Sequence, residues 1–346
     1  MKVLKRIAVM ILFVVAVVAL LVPLSYAVRP LDQQNKGTRN RITGFYAEQE
    51  DSLNVVIVGS SAIYRFINNV HIYENEDITS YNFATASLSV FLIEDVIDEI
   101  LKTQSPELLV IDIRQYFKTN DDVIDEKPTQ YLYNNMKYSG TRIKMVNRLY
   151  RDLNVIERIP YYFDIALYHD NWDQILKYGT EYMTNEREHP MKGVQIVDQV
   201  KAFDQVNVEH VTEEKAISEA AEEALRALLE KCKNENIQVM FLCTPYKVSE
   251  NRQMESNYAR RIVESYGFDY LDMNLVIDDI GLDFATDFYD SDHVNVWGSD
   301  KVSAYLGDYL SENYEFDTEH EEEVVQSWEA AIQAYNDRRA FRLGEE

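Results

Sequence analysis

The sequence predicts an α/β protein: a flavodoxin-like three-layer sandwich with about five parallel strands, an inserted helical cap region and an N-terminal transmembrane helix. Three observations support this prediction. An apolar run lies near the N-terminus, short β-branched segments alternate with helix-compatible stretches, and a Tyr-, Asn- and Asp-rich segment interrupts the alternation. Strands that alternate with helices indicate a parallel sheet with helices on both faces.

Residues 1–28 are predicted to form a transmembrane anchor. Basic residues, including Lys5 and Arg6, precede an apolar run from Ile7 to Val28, and roughly 20 apolar residues suffice to cross a bilayer as a helix. The basic flank predicts a single-pass protein with a cytoplasmic N-terminus and an extracytoplasmic domain. The Ser-Tyr-Ala sequence at residues 25–27 also resembles a signal-peptidase site. Because the apolar run exceeds a usual signal-peptide core, the uncleaved anchor is favoured.

Behind the anchor, polar residues 29–50 are interpreted as a linker with little structure of its own. An α/β domain is predicted over residues 51–310. Its strands are the short apolar runs, which are continuous in hydrophobicity as expected for strands buried on both faces. The predicted strands are residues 53–58, 80–83, 108–113, 237–243 and 268–272. The predicted helices of the regular part are residues 88–101, 212–233, 257–266 and 299–311.

Residues 117–210 break the alternation and are interpreted as an insertion or cap that contains helical pieces. Thr212 is the expected N-cap of the helix that follows. Residues 311–346 are predicted to be an acidic linker and an amphipathic helix from Val324 to Phe341. That helix is expected to dock back onto the domain, and binding of a partner is the alternative.

Composition excludes some classes of function. The formal net charge is -25, whereas nucleic-acid binding needs a basic surface, so no nucleic-acid partner is expected. The same charge repels anionic lipid headgroups, so the domain should be tethered to the membrane rather than adsorbed flat on it. Cys232 and Cys243 have apolar neighbours; two buried free thiols are favoured over a disulfide. No CxxC motif or His/Cys cluster occurs, so neither a metal nor a cofactor is predicted.

Ser61 is the first candidate catalytic residue. It follows the first predicted strand and opens a helix, where free N–H groups and the helix dipole favour a developing anion. Because Gly-Ser-Ser sequences also cap helices, this motif alone is weak evidence.

A second segment, Asp-Ser-Asp-His-Val-Asn-Val-Trp-Gly at residues 290–298, supplies potential partners. A serine nucleophile needs a nearby base, and the base needs an acceptor for its other ring nitrogen. His293 and Asp290 match these two requirements on one loop, with Asp292 as the rival acceptor. The alternatives are an exposed Asp-rich loop or a weak calcium site, although the spacing does not match a full calcium loop.

These two segments resemble the SGNH (GDSL-like) hydrolase family. The resemblance is closest to its membrane-anchored extracytoplasmic members, the alginate O-acetyltransferase proteins and the D-alanyl-lipoteichoic acid biosynthesis protein. It covers about residues 51–115 and 211–310 in pattern and leaves the insertion unexplained. The residues that carry it are Gly59-Ser60-Ser61 after a strand and Asp290-x-x-His293-x-Asn295-x-x-Gly298 before the last helix.

The resemblance implies that Ser61 is the nucleophile, His293 the base and Asp290 the residue that orients the base. It also implies an oxyanion hole formed by the N–H groups of Ser61 and Ser87. Ser87 stands about where the family has a glycine, whose close approach to a ligand a serine does not reproduce.

A second departure concerns the family's third block, whose asparagine is absent after the third strand, where Asp112-Ile113-Arg114-Gln115 stands. Arg114 is a candidate donor to the substrate, or alternatively a rim residue in a salt bridge, and Asn295 is the other substrate-binding candidate. Losing one oxyanion donor costs about a hundredfold or more in rate, so low hydrolytic activity is expected.

The predicted function is a cell-surface serine acyltransferase or esterase that acts on envelope or exported glycans through an acyl-Ser61 intermediate. The acyl group, with acetyl as one candidate, passes to a glycan hydroxyl or to water. The expected partners are the membrane, a glycan substrate and, by resemblance, a membrane-bound O-acyltransferase. The alternative is a catalytically silent SGNH-like domain that binds glycan or scaffolds an envelope-modification complex. The absent asparagine favours this alternative, whereas the Ser61, Asp290 and His293 set opposes it.

Overall fold

The computed structural model describes residues 2–31, 33–120 and 126–344. Its central feature is a five-stranded, all-parallel sheet with the strand order β2-β1-β3-β4-β5, so the coarse α/β prediction is confirmed. A separate two-stranded antiparallel hairpin, β6-β7, lies late in the chain. The strands are β1 Val55–Gly59, β2 Ser80–Ala84, β3 Leu108–Asp112, β4 Val239–Cys243, β5 Asp269–Asp272, β6 Phe288–Asp290 and β7 His293–Val294.

Helices cover both faces of the sheet, which explains why its inner strands are continuously apolar. Val56 and Val58 of β1 belong to one buried apolar cluster, and Val55 and Ile57 belong to another, because successive side chains of a strand point to opposite faces. The helices of the regular part are α3 Ser61–Phe66, α4 Asn69–Glu76, α5 Ile93–Ile100, α6 Arg114–Lys118, α12 Glu219–Glu235, α13 Glu250–Ser265, α14 Ile277–Ile280 and α15 Val296–Asn313. Short 3-10 helices span Val90–Leu92, His169–Asn171 and Met273–Leu275.

The N-terminal helix α1 spans Lys2–Ala27 and is the one helix within the described residues that is long and apolar enough to cross a membrane. At 1.5 Å per residue, its 26 residues reach roughly 39 Å, more than the hydrocarbon core of a bilayer. Its last turn differs from the rest because Ser25, Tyr26 and Ala27 are buried against the domain. The end of the helix is therefore part of the fold.

The prediction that residues 29–50 form a linker with little structure of its own is wrong. This segment contains helix α2, Gln33–Phe45, and several of its side chains are buried, including Arg39, Arg41 and Phe45. Phe45 packs edge-on against the rings of Tyr81 and Phe83 in β2. The polar composition of the segment predicted a linker, but Arg39 and Arg41 donate to main-chain carbonyls inside the protein.

The insertion is helical in its first part and irregular in its second. Its helices are α7 Glu126–Asn135, α8 Gly140–Leu149, α9 Val155–Tyr162, α10 Asp164–Tyr168 and α11 Trp172–Tyr178. Residues 179–218 contain no described helix or strand. The expected N-cap Thr212 is wrong: α12 begins later, and Ser218 caps it by accepting the N–H of Ala221 at 3.2 Å. Part of the expected insertion, residues 121–125, lies outside the described residues.

The C-terminal helix α16, Glu322–Leu343, docks back onto the domain as predicted. Its Trp328 is buried and stacks on Tyr73 of α4 with 4.6 Å between ring centroids. Cys232 and Cys243 are buried free thiols, which confirms the favoured interpretation.

Candidate active site

Two adjacent serines at the carboxyl end of β1 have different environments. Ser60 is buried and caps α3: its Oγ accepts the N–H of Ala62 at 3.3 Å and donates to Asp112 Oδ2 at 2.7 Å. Ser61 is the first residue of α3 and is only partly buried. Backbone N–H groups in the first turn of a helix have no intrahelical acceptor, so the Ser61 hydroxyl lies at an electropositive helix end. The chain thus uses one serine for structure and presents the next one.

Gly59 makes this arrangement possible. A Cβ atom at Gly59 would overlap the side chains of Asp112 and Ile63. The close approach of β1 and β3 at this point lets the Asp112 carboxylate accept both the N–H (3.2 Å) and the hydroxyl of Ser60. The glycine therefore fixes the start of α3 and the direction in which Ser61 points.

The hairpin β6-β7 presents the second half of the site. Asp290 and His293 are register partners across this antiparallel pair. Directly after it, Asn295 caps helix α15 by accepting the N–H of Gly298 at 3.2 Å. The antiparallel pairing within the hairpin and the capped helix that follows it keep the two side chains on one surface.

A continuous chain of hydrogen bonds links the three predicted catalytic residues. Ser61 Oγ lies 2.8 Å from His293 Nε2. On the other side of the ring, His293 Nδ1 lies 2.9 and 3.0 Å from the two carboxylate oxygens of Asp290. Because a carboxylate is an acceptor, Nδ1 carries the ring proton, and Nε2 is left to accept the Ser61 hydroxyl proton. The structure brings these residues together from 232 positions apart in the chain.

The environment of His293 keeps its imidazole neutral. Burial lowers its pKa to about 4, the positive charges of Arg65 and Arg114 act in the same direction, and the carboxylate of Asp290 opposes them. The ring stacks on Tyr289 with 5.5 Å between centroids and lies near Phe66. A neutral imidazole at neutral pH can accept a proton, as a general base must.

Asp292 does not contact the histidine ring. It accepts instead from Arg114 Nη2 at 3.0 Å and lies 3.6 Å from Lys118. Arg114 is buried and also donates from Nη1 to the Asp292 carbonyl (3.0 Å) and to Thr244 Oγ1 (3.1 Å). Arg114 forms the salt bridge that was one of its two alternatives, and this bond fastens the His293 hairpin to the end of β3; a contact with the substrate stays a prediction.

Asn295 is likewise occupied by structural contacts. It is buried, and its amide group donates to the carbonyl of Thr286 at 2.7 Å while its oxygen caps α15. Its predicted contact with a substrate stays a prediction; in this structure both the amide nitrogen and the oxygen of the side chain support the hairpin and α15.

Ser87 has a backbone conformation that favours glycine. Its φ angle is 50°, in the left-handed region, and the residue is exposed in a turn after β2. The N–H of Thr85 donates to the carbonyl of Gly59 at 3.2 Å, which ties this turn to the end of β1 next to Ser61. A non-glycine residue with positive φ is strained and is often found at functional sites.

Sequence reasoning missed two supporting residues. Asp112 orients Ser60, and Arg41 donates from Nε to the carbonyl of Ala84 (3.0 Å) at the start of the Ser87 turn. Asp112 could have been found, since it ends a strand beside β1 and the carboxyl ends of parallel strands share one edge. Arg41 could not, because only tertiary packing brings the polar N-terminal segment to this edge. Within the described residues, no group of three or more His, Cys, Asp or Glu side chains could hold a metal ion.

A scan of the chain against protein-family models finds no match, and a search of curated proteins finds none either. The resemblance to SGNH hydrolases therefore depends on the site residues and their order along the chain.

Proposed function

We propose that the protein is a membrane-anchored serine acyltransferase or esterase that acts on ester-linked acyl groups of envelope or exported glycans. The observation that supports this proposal most directly is the hydrogen-bonded chain from Ser61 through His293 to Asp290. Hydroxyl, imidazole and carboxylate in this order are the parts that acyl transfer requires. The strand order β2-β1-β3-β4-β5 also supports the flavodoxin-like class, whose ligands bind at the carboxyl ends of the strands.

The proposed reaction has two steps. Ser61 Oγ attacks the ester carbonyl carbon while its proton passes to His293 Nε2. The resulting oxyanion accepts hydrogen bonds from the N–H groups of Ser61 and Ser87. Collapse of this intermediate breaks the ester bond, His293 returns the proton to the leaving alcohol oxygen, and the acyl group stays on Ser61. A glycan hydroxyl or water then attacks the acyl-enzyme, with His293 taking its proton and returning it to Ser61.

The end of the third strand bears on the rate of the proposed reaction. Where the SGNH pattern has an asparagine, Asp112 and Arg114 are both engaged in structural contacts. An oxyanion hole with one donor fewer is slower by about a hundredfold or more. Because the same oxyanion hole serves attack by water and by a glycan hydroxyl, we propose that both hydrolysis and transfer are slow.

The anchor helix α1 supports a location at the membrane. The basic residues before it favour a cytoplasmic N-terminus and an extracytoplasmic domain. In this orientation a membrane-bound O-acyltransferase that delivers acyl groups across the bilayer is the proposed partner. The burial of Ser25, Tyr26 and Ala27 in the fold favours retention of the anchor, because cleavage after residue 27 would remove these contacts.

The test uses a fluorophosphonate probe on the full-length protein in detergent. We expect the wild-type protein to be labelled and Ser61→Ala to be unlabelled. Ser60→Ala is the matched control: it removes a neighbouring hydroxyl that acts as a cap, and it should still be labelled although the helix loses about 1 kcal/mol of stability. Wild-type protein that never labels under conditions where it is folded would favour the silent scaffold instead.

A further inference from the structure

A cavity away from Ser61 has an unusual lining. It has a volume of about 210 Å³ and lies between α2, the segment 189–196 and the C-terminal helix α16. Its polar lining includes three arginines and one histidine, and no Asp or Glu residue lines it. This is notable in a chain with a net charge of -25. The charged residues of this pocket are Arg41, His189, Arg338 and Arg342.

Arg41 is the central residue of the pocket. Its side chain is buried, at 4% exposure, and its Nε donates to the carbonyl of Ala84 at 3.0 Å. The guanidinium lies 3.6 Å from the centre of the Tyr64 ring, yet no described carboxylate lies within ion-pair distance of it. A buried charge without a counterion costs several kcal/mol. Consistent with this, burial lowers the pKa of Arg41, with the charge of Arg65 acting in the same direction.

The other arginines and the histidine of the lining are also hydrogen-bond donors. Arg338 is exposed and forms no ion pair with a described residue, and Arg342 has only a 3.5 Å contact with Asp198. His189 Nδ1 accepts the N–H groups of Met191 (3.2 Å) and Gly193 (3.1 Å), so its proton is on Nε2. The pocket therefore offers donors and positive charge, and no described carboxylate lines it to neutralise that charge.

Gly37 leaves the pocket open on the α2 side. A Cβ atom at this position would lie 3.4 Å from Arg41 Nη1 and 3.9 Å from Nη2, so the missing side chain leaves the terminal guanidinium nitrogens accessible. The volume is smaller than the roughly 300–1,000 Å³ of pockets for drug-sized ligands. It suits one compact group with a few waters.

We propose that the pocket formed by Arg41, Arg338, Arg342 and His189 binds an oxyanion, the carboxylate or phosphate group of a ligand. Guanidinium groups recognise both through paired N–H donors. This site is separate from Ser61 but connected to its surroundings. Arg41 bonds the last residue of β2, before the Ser87 turn, and packs on Tyr64 of the Ser61 helix. Occupancy would supply the counterion that Arg41 lacks.

The experiment measures thermal unfolding of the full-length protein in detergent as inorganic phosphate replaces chloride at constant ionic strength. A second series uses glucuronate as the carboxylate probe, and the series with the larger shift identifies the preferred oxyanion. We expect the Tm to rise with the logarithm of the anion concentration above the dissociation constant, by on the order of 3–5 °C at about one hundred times that constant for a chain of this size. The thermal readout does not involve Ser61, so it is independent of the proposed acyl transfer.

The variants decide whether the shift comes from this pocket. The double variant Arg338→Gln/Arg342→Gln changes two residues on an exposed face of α16. It should raise the apparent dissociation constant at least about tenfold, since two charge-assisted contacts are lost. Arg226→Gln with Arg261→Gln makes the same change in net charge at exposed positions elsewhere and should keep the wild-type shift.

Arg41→Met tests the central residue. We expect this variant to unfold cooperatively without ligand and its Tm to stay unchanged with either anion, because the buried positive charge that pairs with the anion is gone. A wild-type Tm that rises with neither anion, or a rise that survives unchanged in the Arg338/Arg342 variant, would overturn the proposal.

Discussion

The rim around Ser61 and the base of the domain, where α1 meets it, are both polar hydrogen-bond networks, but they are built in opposite ways. At the rim, one carboxylate, Asp290, serves one neutral imidazole. At the base, Asp164 is fully buried and bridges Arg29 at 2.6 Å and Arg142 at 2.7 Å. The rim ends in a partly exposed hydroxyl, whereas the base ends inside the protein. This difference separates a network that can react from one that holds the anchor to the domain.

The base has more positive charge than its single carboxylate balances. Arg39 lies nearby and bonds the carbonyls of Tyr26 and Tyr182 at 2.9 and 3.0 Å. Burial lowers the pKa of Arg39, and the positive charge of Arg29 acts in the same direction. Aromatic rings share the stabilisation: the Arg29 guanidinium lies 4.3 Å from the ring centre of Tyr26. The network thus ties the last turn of α1 to the insertion.

The largest expected effect concerns the rim. Asp290→Asn should leave the hairpin in place but offer His293 Nδ1 a donor instead of an acceptor, which favours the wrong tautomer. We expect the rate of fluorophosphonate labelling to fall by about 10²–10⁴-fold. Asp292→Asn is the matched control, with the same charge change two residues away. It should cost less than about tenfold, because the Asp292 carboxylate is half-exposed and the bond from Arg114 to the Asp292 carbonyl remains. If Asp292→Asn proves the more damaging change, the roles of the two carboxylates must be exchanged.

The next effect concerns the base. Asp164→Asn leaves Arg29 and Arg142 buried without a counterion and should lower the free energy of unfolding by about 3–5 kcal/mol. Thermal or denaturant unfolding of the full-length protein in detergent measures this.

Asp95→Asn provides the comparison, since Asp95 is also buried but pairs with the half-exposed cations Lys144 and Arg148. It should cost about 1 kcal/mol or less. Equal losses in the two variants would show that the base is not a special network.

The two regions also differ in how far sequence could predict them. The rim follows from local signals: Gly59-Ser60-Ser61 ends a strand, and Asp290 and His293 lie three residues apart before a helix. Parallel topology then places Ser61 at the carboxyl edge of the sheet, and the separate hairpin β6-β7 packs against α3 there. The base depends on contacts between residues 29, 142 and 164, which have no shared local pattern. Burial of a polar segment such as α2 is decided by distant carbonyls and rings, so composition alone predicts a linker.

A third prediction sharpens the electrostatic side of the comparison. In the proposed mechanism neutral His293 is the general base, so its protonation should remove activity, and its pKa of about 4 places this loss well below the usual value near 6.5. The labelling rate should be constant from about pH 5.5 upward and should fall about tenfold per pH unit below pH 4.

Arg65→Gln removes a positive charge that lowers the pKa of His293. It should therefore move the acid limb to higher pH, with the plateau rate unchanged. An acid limb that stays near pH 6.5 in the wild-type protein would mean that the imidazole is better solvated than this environment implies.

The smallest expected effect tests whether backbone strain at the rim is real. Ser87 is exposed and has a φ angle of 50°, which costs a non-glycine residue roughly 1–2 kcal/mol. Ser87→Gly relieves this strain but loses more entropy on folding, so its stability should stay within about 1 kcal/mol of the wild type. Ser87→Val adds a β-branched side chain at the same angle and should be less stable than Ser87→Gly by about 1–2 kcal/mol. Position 87 is exposed, so the difference in unfolding free energy between the two variants reports mainly the backbone; equal stabilities would show that the turn relaxes to negative φ.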